Sequence, residues 1–252
     1  MANSAPPRIF SRSRRIAALR RARVRQSQRD AARYVFDDMV EDVLERLEFM
    51  RFEPKRALVV GDITSTLALS LRGRGAHVDE RDVASLDEEL PIGGSPYDLI
   101  VSLASLDRVN DLPGALLHIR TALAPDGLFI ASLIGAGSLA HLRAAMIAAQ
   151  PERPEPRMHP LVDNAAASAL LQRALFKRQV VDSRSLTVAF PSMDKLVSDL
   201  RDQGLGNVLA QPASALGKDE LQRAREAFRK GANKHGRVLE ALEVLTLTGW
   251  KD

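Results

Sequence analysis

Gly61 and Asp82, set 21 residues apart, offer the clearest prospect of chemistry in this 252-residue chain. A glycine closing a strand lets the backbone approach a nucleotide, and an acid about 20 residues later suits ribose hydroxyls. The turn itself reads Gly61-Asp-Ile-Thr-Ser65, so Asp62 and Ile63 border the same space. Each acid also has a plainer use: Asp62 as the cap of the next helix, Asp82 as a solvated strand end. Other chemistries fail on residue type or spacing. The chain has no Cys, which excludes disulfides, thiolate metal ligation, iron–sulfur clusters and a Cys nucleophile. His77, His118, His141, His159 and His235 form no pair at ligand spacing, so no metal is expected. Ser102 and Ser105 have no His partner at a suggestive spacing, which leaves a hydrolase triad without support.

These residues need elements to position them. Arg56-Ala-Leu-Val-Val-Gly61 reads as a short buried strand, and a helix at about 65–72 follows, with Gly73 and Gly75 as stop signals. Further strands are expected at 76–82, 97–103 and 128–134. Asp111-Leu-Pro113 caps a helix carrying Leu116 and Ile119, and Pro125-Asp-Gly127 is a turn. Asp163 caps a helix to about 175. Two extended segments, 178–182 and 186–190, precede helices at about 192–203 and 218–230 and a last strand at 239–248. Strands alternating with helices define an α/β doubly wound fold with a mostly parallel, seven-stranded sheet. The last strand is expected to be an antiparallel edge, with 192–236 a helical insert before it. The Pro-rich stretch 151–160 reads as a surface excursion, and Trp250 as an end-strand anchor in the core.

Charge separates an arm from a body. Residues 1–36 hold ten Arg against the single acid Asp30, while the remainder carries 26 basic and 31 acidic groups. Residues 1–13, with Pro6 and Pro7, should be loose, and helical pattern begins near Arg14. Phe36, Met39, Val40, Val43, Leu44, Leu47 and Met50 then form one apolar stripe. Residues 1–53 are thus an Arg-rich arm with helices, and 54–252 the main domain. The arm has few aromatics for base stacking, so nucleic acid is not its expected partner; an acidic surface, on this body or another protein, is. No run of apolar residues is long enough for a membrane-spanning helix, and no apolar segment follows the first charges. With 29 Arg against 7 Lys, a bacterial cytoplasmic protein is expected, the mitochondrial matrix being the alternative.

The segment Tyr97-Asp-Leu-Ile-Val-Ser, Val109-Asn-Asp-Leu-Pro-Gly-Ala-Leu and Ile119-Arg-Thr-Ala-Leu-Ala-Pro-Asp-Gly-Leu-Phe-Ile-Ala131 resembles class I S-adenosylmethionine-dependent methyltransferases. It is similar in particular to the malonyl-carrier-protein O-methyltransferase of biotin synthesis. Leu170-Leu-Gln-Arg-Ala-Leu-Phe176, Val180-Val-Asp-Ser, Leu186-Thr-Val and Leu247-Thr-Gly-Trp250 narrow the resemblance to bacterial relatives of a mitochondrial complex I assembly factor described as an arginine hydroxylase. It covers about residues 9–250, including the Arg-rich start at Ile9-Phe10.

The resemblance implies a S-adenosylmethionine site at Gly61, Asp62, Ile63, Asp82, Leu103 and Ala104, with Asn110 and Asp111 beside it and no assigned catalytic residue. The sequence departs from the family there. Of the motif Gly-x-Gly-x-Gly only Gly61 remains, Ile63 and Ser65 standing in the other two places, and Asp107-Arg108, an expected ion pair, replaces His-Trp. A branched side chain at Ile63 takes space that the cofactor needs. The function expected is that of a S-adenosylmethionine-dependent methyltransferase with a degenerate glycine motif; the alternatives are a non-catalytic assembly or binding factor on the same fold and, by analogy with the relative, an arginine hydroxylase. The acceptor, which could be a protein, is not specified by any motif.

Overall fold

The computed structural model describes residues 8–94 and 96–252; the expected looseness of 1–7 falls outside them, whereas 9–13 are anchored, Phe10 being buried and bridged to Leu209 and Ser11 capping the first helix. Six strands form one sheet in the order β2-β1-β3-β4-β6-β5. Strands β1 (Arg56–Val60), β2 (His77–Arg81), β3 (Tyr97–Leu103) and β4 (Leu123–Ile134) run parallel, while β6 (Val238–Trp250) is antiparallel to both β4 and β5 (Lys177–Phe190). The central strands read as continuous apolar runs because both of their faces are covered. One face packs against α2 (Tyr34–Phe49), α3 (Thr66–Gly73), α5 (Ala140–Ala149), α7 (Met193–Asp202) and α8 (Lys218–Arg229). The other packs against α4 (Leu112–Ala122) and α6 (Asn164–Arg173).

The expected seven strands become six because 178–182 and 186–190 are one strand. Asp182-Ser-Arg-Ser185 looks like a polar break, yet pairing continues through it, Ser183 opposite Leu245 and Ser185 opposite Glu243. The polarity belongs to an edge: β5 has a neighbour on one side only, and Arg184 is held by Asp38 and Asp42 of α2 at 2.7 and 3.0 Å. The last strand is antiparallel as expected but lies inside the sheet, between β4 and β5. The turn at Pro125 lies within β4, where the register against β3 shifts, and Asp126 rather than Gly127 takes the positive φ.

Several caps act as read. Asp111 accepts from the Gly114 amide and Asp163 from that of Ala166. In α2 the stripe is buried at Phe36, Met39, Val40, Val43 and Leu47. The two helices between β5 and β6 fall at α7 and α8, and α8 lies along α5, a helix the periodicity did not reveal. Trp250 is partly buried, with the Arg178 guanidinium 5.0 Å from its ring centre.

The basic arm forms helix α1 (Arg12–Gln26), started by Ser11, whose hydroxyl accepts from the Arg14 amide. It has almost no apolar stripe; its buried residues are Arg15, Ala18 and Ala22. Tertiary contacts hold it instead. The Ser11 amide donates to Val208, the Ala210 amide donates to Ile9, and Asn110 Oδ1 accepts from both the Ile9 and Phe10 amides at 2.8 Å.

Candidate functional site

In a parallel sheet the backbone at the carboxyl ends of the strands opens toward a crevice, where ligands of α/β proteins sit. The fold brings Gly61, Ile63, Asp82, Leu103 and Ala104 around one space at that edge, while Asp62, next to Gly61 in the chain, does not line it. The side chains around them are engaged with one another. Asp62 is buried; Oδ2 accepts from the Leu67 and Ala68 amides at 2.8 and 3.2 Å, and Oδ1 from the Thr64 hydroxyl at 2.9 Å. It therefore serves the start of α3, its plainer use. Gly61 lies at φ +85, and a Cβ there would run into the carbonyl oxygen of Leu103. The close approach of β1 to β3 thus demands this glycine without any ligand. Ser65, in a family glycine position, adopts φ +57 and donates its hydroxyl to Glu80 at 2.5 Å. Ile63 packs on the core.

Asp82 is spoken for on both oxygens. Oδ1 accepts from the Ala84 and Ser85 amides, each at 2.9 Å, and Oδ2 meets the Arg23 guanidinium of α1 at 2.5 Å. Burial raises its pKa, but the Ser85 amide, the Arg23 charge and the Ala84 amide outweigh this and hold the carboxyl below its ordinary range.

Arg15 crosses the same edge. Its guanidinium donates to Glu88 at 2.7 and 3.3 Å and to the carbonyl and hydroxyl of Ser105, which in turn donates to Glu88. Both partners are almost fully buried, at 6% and 2% exposure. From the other side Arg108 donates to the carbonyls of Ala104 and Gly204. Burial is the main cause that lowers its pKa. Asp107 and Arg108 stand 3.6 Å apart, beyond hydrogen-bond reach, so the expected ion pair is a loose one and both facing atoms lack a hydrogen-bond partner. Between Arg15, Leu19, Ile63, Asp82 and Arg108 only about 30 Å³ remains, room for about one water. Sites for nucleotide-sized ligands span about 300–1,000 Å³. As arranged here, these residues do not fit S-adenosylmethionine.

A second cavity, of about 240 Å³, opens on the far side of Arg108. Ile134 at the end of β4, Leu142 and Met146 of α5, Val197 and Leu200 of α7 and Leu242 of β6 make it apolar. His159, from the stretch expected to be a surface excursion, lines it; its Nε2 accepts from the Val208 amide at 2.9 Å and its ring meets Phe10 edge-on. Burial, then the Arg108 charge, lowers the imidazole pKa to about 4, so it is neutral at pH 7. Asn110 lines neither of these spaces but a third, of about 490 Å³, beside Arg15 with Arg12, Asp87 and Glu89, where it also anchors the arm, and Asp111 caps α4. The Arg15–Glu88 pair and His159 escape sequence reasoning, because no local pattern joins residues 73 or 49 positions apart. Among the described residues no three His, Cys, Asp or Glu side chains converge as a metal site would, and no helix is long and apolar enough to cross a membrane.

Sheet order, mixed directions and the crevice beside β1 and β3 define a Rossmann-like methyltransferase fold. The profile of the methyltransferase domain matches residues 20–190, and the chain belongs to that family, in its class I S-adenosylmethionine-dependent branch. It is 31% identical over 209 residues to the mitochondrial arginine-hydroxylase NDUFAF5 of Danio rerio, covering 81% of this chain and 64% of that protein. Against the human NDUFAF5 the figures are 35% over 170 residues, 66% and 49%. The malonyl-[acyl-carrier protein] O-methyltransferase of Halorhodospira halophila is 27% identical over 238 residues, 84% of this chain and 80% of that one. The chain thus spans about half to two thirds of the length of the arginine-hydroxylase relatives. A solved Bacillus halodurans protein assigned to the methyltransferases shares the fold, with a TM-score of 0.50 at 10% identity over 82% of this chain and 98% of that one.

Proposed function

We propose that this methyltransferase-domain protein works as a binding or assembly factor, and that it does so without binding S-adenosylmethionine. The observation that carries the reading is the cleft of about 30 Å³ between Arg15, Ile63, Asp82 and Arg108, in the place the family reserves for the cofactor. Three separate features agree with it: Asp62 caps a helix, Asp82 is paired with the arm, and Gly61 is explained by strand packing. By analogy with the NDUFAF5 relatives, the molecule it serves would be a protein; hydroxylation of arginine is the activity in their name and finds no assigned residue here.

Methyl transfer from S-adenosylmethionine is the second reading. Asp82 and Gly61 keep their family positions, and the Arg23–Asp82 contact lies at a half-exposed guanidinium that can let go. Calorimetric titration of the full chain with S-adenosylmethionine and S-adenosylhomocysteine separates the two. No heat at millimolar ligand is expected, and saturable heat with the unmodified chain would overturn the first reading. The paired change Arg15→Met with Glu88→Gln, which removes both buried charges together, tests whether the arm alone bars entry. Binding by that variant alone would make the arm the barrier, while continued silence would place the loss at Ile63 and Ser65, to be checked with Ile63→Gly and Ser65→Gly.

A further inference from the structure

The cavity of about 240 Å³ beyond Arg108 has a composition that specifies a ligand. Its walls are aliphatic and thioether side chains from α5, α7, β4 and β6. An apolar cavity of roughly 150 Å³ already admits benzene, so this one holds a longer hydrocarbon group. Its charged residues are unequal in sign: Arg108, Arg143, Arg157 and Arg201 against Asp107 alone. Asp107 stands against Arg108, and both are buried. Arg157 is held by the Ser214 carbonyl and by Gln150. Arg143 is half-buried and Arg201 exposed, and neither has a side-chain hydrogen bond or ion pair among the described residues. An apolar interior with two uncommitted guanidinium groups at its solvent side is complementary to a hydrocarbon tail ending in an anion.

We propose that this cavity binds an aliphatic carboxylate of medium chain length, the tail between Met146, Val197 and Leu200 and the carboxylate at Arg143 and Arg201. The ligand enters apart from the cofactor cleft, since Arg108 with its bonds to Ala104 and Gly204 stands between the two spaces. This inference deepens the reading of the chain as a binding protein by naming a ligand class, and the two fail separately. Decanoate binding together with S-adenosylmethionine binding sinks only the cofactor-free reading; silence toward both sinks only the ligand.

The test is calorimetric titration of the full chain with decanoate, decanol and decylamine below their aggregation concentrations. Decanoate is expected to bind with a single site, decanol more weakly, and decylamine at least tenfold more weakly than decanoate. Arg143→Ala with Arg201→Ala should weaken decanoate roughly tenfold while leaving decanol unchanged, as loss of one half-buried and one exposed charge contact implies. Met146→Trp and Val197→Phe, on facing helices, should each fill the cavity and abolish binding; circular dichroism identifies a variant that fails to fold, and the other then decides. Decylamine binding as tightly as decanoate, or decanoate binding unchanged by a folded filling variant, would overturn the proposal.

Discussion

Two spaces lie a single side chain apart and differ in kind. The cleft at the ends of β1, β2 and β3 is closed by charge, with Arg15, Arg23 and Arg108 reaching carboxylates and carbonyls inside it. The cavity beside β4, α5 and α7 is walled by hydrocarbon and keeps its volume. One sheet edge thus holds an open apolar cavity beside a cleft filled by the chain's own residues. Two of these three arginines, Arg15 and Arg23, come from the arm, the segment whose composition is least like the rest of the chain.

Breaking the ionic side should produce the largest effect. Arg15→Ala leaves Glu88 buried and unpaired and is expected to cost about 3–5 kcal/mol, measured by denaturant unfolding, while Arg15→Met with Glu88→Gln recovers most of it. A loss below about 1 kcal/mol for Arg15→Ala would mean that water already reaches the pair. Next comes the apolar side. Because the folded pKa of His159 is lowered from 6.5 to about 4, its contribution is intact above about pH 6.5 and falls away toward pH 4, the unfolded chain taking up the proton first. The loss amounts to roughly 3 kcal/mol at most. His159→Gln should flatten the stability profile in that window, and an unchanged slope would remove His159 as its source.

Gly61→Ala is expected to destabilise by about 2 kcal/mol in the absence of any ligand, since the added Cβ meets the Leu103 carbonyl at a positive φ. An effect seen only on ligand binding would return this glycine to a cofactor role. The smallest change is Ser65→Gly, which relieves φ +57 but forfeits the hydroxyl given to Glu80. A net gain of about 0.5 kcal/mol in unfolding free energy is expected.

Much of this architecture is written in local pattern. The mostly apolar runs at 57–60 and 99–103, short and bounded by turn residues, read as interior strands, and Asp111 and Asp163 mark their helices by position. The edge strand β5 reads as two segments because polar residues that interrupt an interior strand are ordinary at an edge, and edge position is a property of the whole sheet. The gathering of Gly61, Asp82, Leu103 and Ala104 at one crevice was legible from family spacing, whereas its occupancy by Arg15 was not. An Arg among ten in a basic arm carries no mark that says it will be buried against Glu88.

The arm's anchorage also orders events in time. Arg25 is held by Asp202 across 177 positions, and Ser11 by the carbonyl of Val208, so α1 can reach its final place only after those residues exist. At about 5–20 residues per second of synthesis, the arm waits on the order of 10–40 seconds after its own emergence. The partners that close the crevice, Glu88 for Arg15 and Asp82 for Arg23, are made long before these anchors, so synthesis supplies the ionic plug first and the clamp that fixes the helix carrying it last.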